Sequence, residues 1–364
     1  MMKRRDFFKT ISAGAAGMAG LGTLPAFSSL ITPAKTNSTS NYAWISNHEG
    51  NDDEHRKRLE NLKKAGVDGI LPSSNYKKWI SLAEDFDLDV HAWFVTLQRG
   101  SDDYLIENHP DWFMVNRKGD SSVDKPAYVD YYKWLCPTRP AAQEYILDKV
   151  NEILQIDEIK SVHLDYIRFP DVILPIQLQP TYDIVQDKEY PEYDYCYCSA
   201  CRQAFQDQHG ADPMDLNDPA EHETWNHFRY NRITHLVNRI ATVVHDQGKL
   251  LSAAVFPTPD IARSLVRQNW PSWNLDLVFP MMYHNFYHKP TRWIGEAVQQ
   301  CLRELPATTK LFSGVYLPDL DPVELVQAYE HATGTGASGI TLFPDHELSE
   351  EHRDYLSRVI GRSS

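Results

Sequence analysis

The run Ser161-Val162-His163-Leu164-Asp165-Tyr166-Ile167-Arg168-Phe169-Pro170-Asp171 gathers acids, a base and a cation in one short stretch. It opens as a buried-strand pattern and closes on charge and a proline. Side chains two apart on a strand share a face, so His163 and Asp165 project together. Burying a carboxylate without a partner is costly. The C-terminal tip of a parallel strand is also where barrel enzymes carry their reactive groups. Asp165 is therefore assigned as a catalytic carboxylate, acting as nucleophile, as base or as stabiliser of developing positive charge. A proton donor must accompany it, and the candidates are Asp171 on the same loop, Asp260, Asp345 and Glu347. Arg168 either holds Asp165 ionised, binds substrate oxygens, or pairs with Asp171. His48, His91, Trp93, His163, Tyr283, His284, Asn285 and Tyr316 stand at or near other strand tips and are assigned to substrate binding. Asp276 lies at the start of a strand, the wrong end for this work.

Such residues meet only if a scaffold brings strand ends together. Short β-rich runs alternate with helical periodicity along the chain. The strands are expected at 42–46, 67–71, 90–96, 161–167, 250–256, 275–283, 311–316 and 339–343. Helices are expected at 53–65, 75–86, 140–154, 224–245, 260–268, 290–305, 322–332 and 349–360. Eight such units most simply close into a (β/α)8 TIM barrel. A doubly wound open sheet is disfavoured, because Ser46-Asn47-His48-Glu49 stands where a glycine-rich phosphate loop would follow the first strand. Residues 97–139 after the third strand and 171–223 after the fourth are long loops that should wall the functional face. They are rich in rings with polar tips, among them Trp112, Tyr128, Tyr131, Tyr132, Trp134, Tyr193, Tyr195 and Tyr197, which suit the faces and rims of sugars.

The start of the chain reads differently. Lys3-Arg4-Arg5 precedes an apolar Ala/Gly-rich run, and Pro25-Ala26-Phe27-Ser28-Ser29 then offers small residues for cleavage. This order predicts a twin-arginine export signal over 1–28, a linker over 29–41, and a soluble mature barrel over 42–364, periplasmic or secreted, with no membrane anchor. The formal net charge of the whole chain is −14. Removing the signal takes away four basic residues and one acidic one, so the remainder is more acidic still. That balance argues against a nucleic-acid partner. No cofactor is expected for catalysis. Of five cysteines, Cys196, Cys198 and Cys201 form a C-x-C-x-x-C cluster inside the second long loop. It can hold a structural zinc with His209 or an acidic neighbour as fourth ligand, or oxidise to a disulfide.

The sequence resembles the glycosyl-hydrolase-like family 10 group. The matching pieces are His109-Pro110-Asp111-Trp112 with Gly119, Leu135-Cys136-Pro137, Val162 to Pro170, and Asp276-Leu277-Val278-Phe279-Pro280-Met281-Met282-Tyr283. The resemblance covers roughly residues 42 to 350. It implies a barrel glycoside hydrolase acting on an oligo- or polysaccharide, some members acting on bacterial cell-wall chains. Many members carry a second acid directly after the strand-four aspartate, where this chain has Tyr166. Glycoside hydrolysis needs two carboxyl groups flanking the scissile bond. The other readings are a carbohydrate-binding barrel that has lost its chemistry, and a metal-dependent barrel hydrolase using His48, His91, His163 and His284.

Overall fold

The computed structural model describes residues 39–46 and 49–363. The expected export signal, most of the linker, and His48 lie outside the described residues. Alternating elements follow from there: β1 (Tyr42–Ile45), α1 (Asp52–Lys64), β2 (Gly69–Pro72), α2 (Tyr76–Ala83), β3 (Asp89–Val95), α3 (Asp103–Asn108), α4 (Pro140–Leu154) and β4 (Ser161–Asp165). Next come α5 (Ser199–His209), α6 (Glu223–Asp246), β5 (Leu250–Val255), α7 (Pro259–Val266), β6 (Leu277–Pro280) and α8 (Trp293–Glu304). The chain finishes with β7 (Lys310–Leu311), β8 (Ser313–Tyr316), α9 (Pro322–Gly334), β9 (Ile340–Phe343) and α10 (Glu350–Ser363).

The strands pair in parallel in the order β7-β6-β5-β4-β3-β2-β1-β9-β8. β7 and β8 are two halves of one stave, interrupted at Phe312: the first half pairs with β6 and the second with β9. A parallel bridge between Met281 and Gly314 closes the ring. The result is a (β/α)8 barrel of eight staves. Gly314 permits the closure, because a Cβ there would lie 3.0 Å from both the Pro280 carbonyl and the Trp44 ring.

Local sequence explains the helix starts. Asn51 and Glu54 form a reciprocal capping box at α1, and Asp321 with Glu324 does the same at α9, where Pro322 takes the first helical position. Two apolar cores result. The larger packs helices on the outside of the staves. The smaller fills the barrel with Trp44, Leu71, Trp93, Phe279, Phe312 and Phe343, and with rings from the loops above.

Several boundaries differ from expectation. The sixth stave spans Leu277–Pro280 instead of 275–283, and the fourth ends at Asp165 instead of 167. The second long loop also contains a helix, α5, which composition alone did not separate from its surroundings.

Candidate active site

Asp165 is the last residue of β4 and is 9% exposed. Trp93 Nε1 donates to its Oδ2 at 2.9 Å, and the Tyr166 amide donates to Oδ1 at 2.6 Å. Tyr166 sits at φ 50°, in the left-handed region. That turn swings the chain off the strand and lets its N–H point back at the carboxylate. Asp165 is thus oriented by an indole N–H from β3 and by the backbone N–H that follows its own strand.

Aromatic rings crowd the same mouth. Tyr283 stacks on Phe343 with centroids 6.0 Å apart, and Tyr316 lies 5.4 Å from Tyr283. Burial first, and the Asp165 charge next, push the Tyr283 hydroxyl well above the usual tyrosine range. The Tyr316 hydroxyl is buried with no hydrogen-bond partner among the described residues. Burial, then Asp319 and Glu347, push it upward as well.

Arg168 is turned to Asp171. Its Nη1 lies 2.7 Å from Asp171 Oδ2, and its Nη2 donates to the Tyr132 hydroxyl at 2.9 Å. Its guanidinium is sandwiched among Trp134, Tyr166 and Phe256. Tyr132 also donates to the Asp171 carboxylate, and Tyr128 donates to the Asp171 carbonyl at 2.8 Å. The pair is therefore buried rather than at the surface, and it pins the fourth-stave loop to the third-stave loop.

The remaining predicted residues divide clearly. His91 and His163 lie inside the barrel, below Asp165. His163 Nε2 accepts from Trp44 Nε1 at 2.9 Å, so its Nδ1 carries the proton and faces Ser252 Oγ at 2.9 Å. His91 Nδ1 meets Ser161 Oγ at 2.7 Å, and the two serines are 3.3 Å apart. Burial lowers the His91 pKa to about 4 and that of His163 well below the usual range. These histidines form a polar spine within the floor of the site. With both ring nitrogens engaged, His163 has none left for a metal.

Asp345 is gripped by the Arg58 guanidinium through two bonds and receives the Ser46 amide at 3.3 Å. It ties the last stave to α1 and β1. Asp260 is exposed at the start of α7, taking bonds from Thr258 and, at 2.7 Å, from Gln300 of α8. Glu347 is exposed beside His346. His284 is buried, and burial lowers its pKa to about 4.

One acid outside those candidates gains prominence. Asp319 follows β8, and burial raises its carboxyl above the ordinary aspartate range, partly offset by the Asn285 amide. In a ring of eight staves the fourth and seventh face one another obliquely across the mouth. Its position just past a strand tip was the available signal. Trp44 and Ser252 were likewise unpredicted, although Trp44 shares the inward face of β1 with Tyr42 by the period of two.

The second long loop roofs this mouth. Leu174 and Leu178 dip into the inner aromatic cluster, and Gln186 and Gln179 bond to the Leu174 backbone at 2.8 and 3.0 Å. A groove of about 470 Å³ runs along the outside of this roof, lined by Leu174, Gln179, Asp260, Tyr287, Lys289 and Trp293 among others. The cysteine cluster lies deeper in the same wall. Cys136 joins Cys196, Cys198 and Cys201 there, while His209 packs on Phe205 instead.

No curated protein matches the chain. The barrel is similar to solved structures at low identity, a likeness of fold. The catalytic domain of β-amylase from Paenibacillus polymyxa aligns with TM-score 0.61 and 11% identity, over 91% of this chain and 100% of that one. β-Galactosidase from Halorubrum lacusprofundi aligns with TM-score 0.64 and 11% identity, over 88% of this chain and 58% of that longer one. A class V chitinase from Pseudomonas fluorescens Pf-5 aligns with TM-score 0.52 and 8% identity, over 87% and 98%. Residues 56–327 match the family model described as glycosyl hydrolase-like 10. The barrel, its acidic fourth-stave tip and that match agree: this chain belongs to the glycosyl hydrolase-like 10 family.

Proposed function

We propose that the protein is an exported glycoside hydrolase that cleaves O-glycosyl bonds of an oligo- or polysaccharide. The observation that carries the reading is Asp165, held by Trp93 Nε1 and the Tyr166 amide at the C-terminal end of the fourth stave. It stands among aromatic rings suited to a sugar face. Asp165 acts as the carboxylate that attacks, or that stabilises the oxocarbenium-like centre. Asp319, just past the tip of the seventh stave, is the proton donor in this reading, and burial raises its carboxyl above the ordinary aspartate range. The membership of the family and the glycosidase names of the similar structures support this class of reaction.

The test is a screen of chromogenic glycosides and cell-wall fragments, followed by Asp165→Asn. Turnover should vanish while the melting temperature stays within a few degrees. Full turnover in that variant removes Asp165 from the mechanism.

A second reading is a carbohydrate-binding barrel without turnover. It draws on Tyr166 in place of a second acid and on the Leu174–Leu178 roof over the mouth. Saturable sugar binding with no released product across the screen would favour it. Export itself is tested by sequencing the N-terminus of protein recovered outside the cytoplasm, with a cut near residue 28 expected.

A further inference from the structure

We propose that Cys136, Cys196, Cys198 and Cys201 bind one zinc ion as a closed tetrathiolate, stapling together the two long loops that wall the barrel mouth. The four sulfur atoms all lie within 4.8 Å of one another, and every one of these residues is buried. Cys136 Sγ is 3.4 Å from Cys201 Sγ and 3.5 Å from Cys198 Sγ. A tetrahedral zinc with Zn–S bonds of about 2.3 Å places its sulfurs about 3.8 Å apart. A disulfide instead needs about 2.05 Å. Four mutually adjacent thiols therefore fit a common central ion better than two separate bridges. The fifth cysteine, Cys301, stands apart on α8 and donates to the Pro257 carbonyl at 3.1 Å.

Chain geometry supports the set. Cys198 precedes the first residue of α5 and Cys201 lies in its first turn, so the C-x-C-x-x-C spacing presents three sulfurs from one bend. Cys136 comes from the other loop, just before α4, and Thr138 Oγ1 lies 3.1 Å from Cys201 Sγ as an outer partner. Four thiolates, each having released its proton to solvent, leave no open position for a substrate, so the ion is structural. All-sulfur tetrahedral sites select zinc or iron, and zinc is the ion that adds no redox chemistry.

The loops it joins are laminated along their length. The Tyr197 amide donates to the Val115 carbonyl at 2.7 Å, and the Arg117 amide to the Asp194 carbonyl at 2.9 Å. Tyr128 stacks on Tyr193 with centroids 4.6 Å apart. The ion would fix the depth of this seam and so the placement of Tyr128 and Tyr132 around Asp171.

The test uses the full chain, purified without chelator or reductant. Elemental analysis should give one zinc per chain, and thiol titration in denaturant plus chelator should give five thiols, one for each cysteine in the sequence. Cobalt loaded in place of zinc should show the intense sulfur-to-cobalt charge-transfer absorption of a tetrahedral thiolate site. Cys136→Ser should abolish stoichiometric zinc and Cys301→Ser should leave it unchanged. If the first variant fails to fold, the wild-type metal and thiol counts still decide. Five thiols with no metal, a single thiol after complete unfolding, or one coloured iron per chain would each overturn the assignment. None of these readouts uses turnover, so the proposal stands or falls separately from the glycosidase reading.

Discussion

At the scale of single residues, the site separates two acids by their surroundings. Asp165 accepts from Trp93 Nε1 and from the Tyr166 amide, whereas burial raises the Asp319 carboxyl above the ordinary aspartate range. That difference suits a division of labour between an ionised carboxylate and a proton donor. Asp319→Asn is expected to lower kcat/KM by about 10²–10⁴-fold on substrates with poor leaving groups. Wild-type activity should fall as pH rises through the elevated Asp319 pKa, and this alkaline limb should be missing from the variant. A pH profile unchanged by the substitution would assign the proton donor elsewhere. Arg168, by contrast, is spent on Asp171 and Tyr132, so Arg168→Met should damage folding more than chemistry.

At the scale of elements, the fourth-stave insertion depends on a buried charge cluster around Asp194. Asp194 is fully buried between Arg229, Arg117 and Arg267, and it receives the Tyr197 hydroxyl at 2.6 Å. Burial works to raise its pKa, but the arginines and the tyrosine outweigh that and hold the carboxyl below the ordinary range. Its contribution is therefore complete above the unfolded aspartate pKa and is lost as pH falls through the lower folded value. Removing one cation strands buried charge. Arg229→Met should cost about 3–5 kcal/mol in urea unfolding. A loss below about 1 kcal/mol would mean that Arg117 and Arg267 suffice, against the usual cost of breaking a buried pair. The seam at β8 makes a narrower demand: Gly314→Val would force a methyl against Trp44, the donor to His163, and disturb the floor beneath Asp165.

At the scale of the whole molecule, two imidazoles buried in the otherwise apolar barrel interior set its response to acid. His91 and His163 fold as neutral imidazoles whose pKa values burial has lowered, to about 4 for His91. The unfolded chain binds protons that the native state refuses. Stability is therefore fully present above about pH 6.5 and erodes as pH falls toward 4, by about 1.4 kcal/mol per pH unit for each such imidazole. Urea midpoints measured at pH 7, 5.5 and 4.5 should decline accordingly, and His91→Gln should flatten the slope. A midpoint independent of pH over that range would show that the interior admits charge. Among the described residues no helix is long and apolar enough to cross a membrane.

The eight-stave alternation was legible in the sequence because periodicity is a local property: strand runs and capping boxes are written in neighbouring residues. So was the placement of Asp165 at the tip of the fourth stave, which follows from the period of two and the proline beyond it. The partners of these residues were not legible. Whether Arg168 faced Asp165 or Asp171, whether Asp345 was open or gripped by Arg58, and that Cys136 rather than His209 or an acid joined the C-x-C-x-x-C cluster depended on where separate loops met. Tertiary structure alone decided those pairings, because hydrogen bonds and ion pairs reach only a few ångströms and residues far apart in sequence come that close only once the barrel has closed.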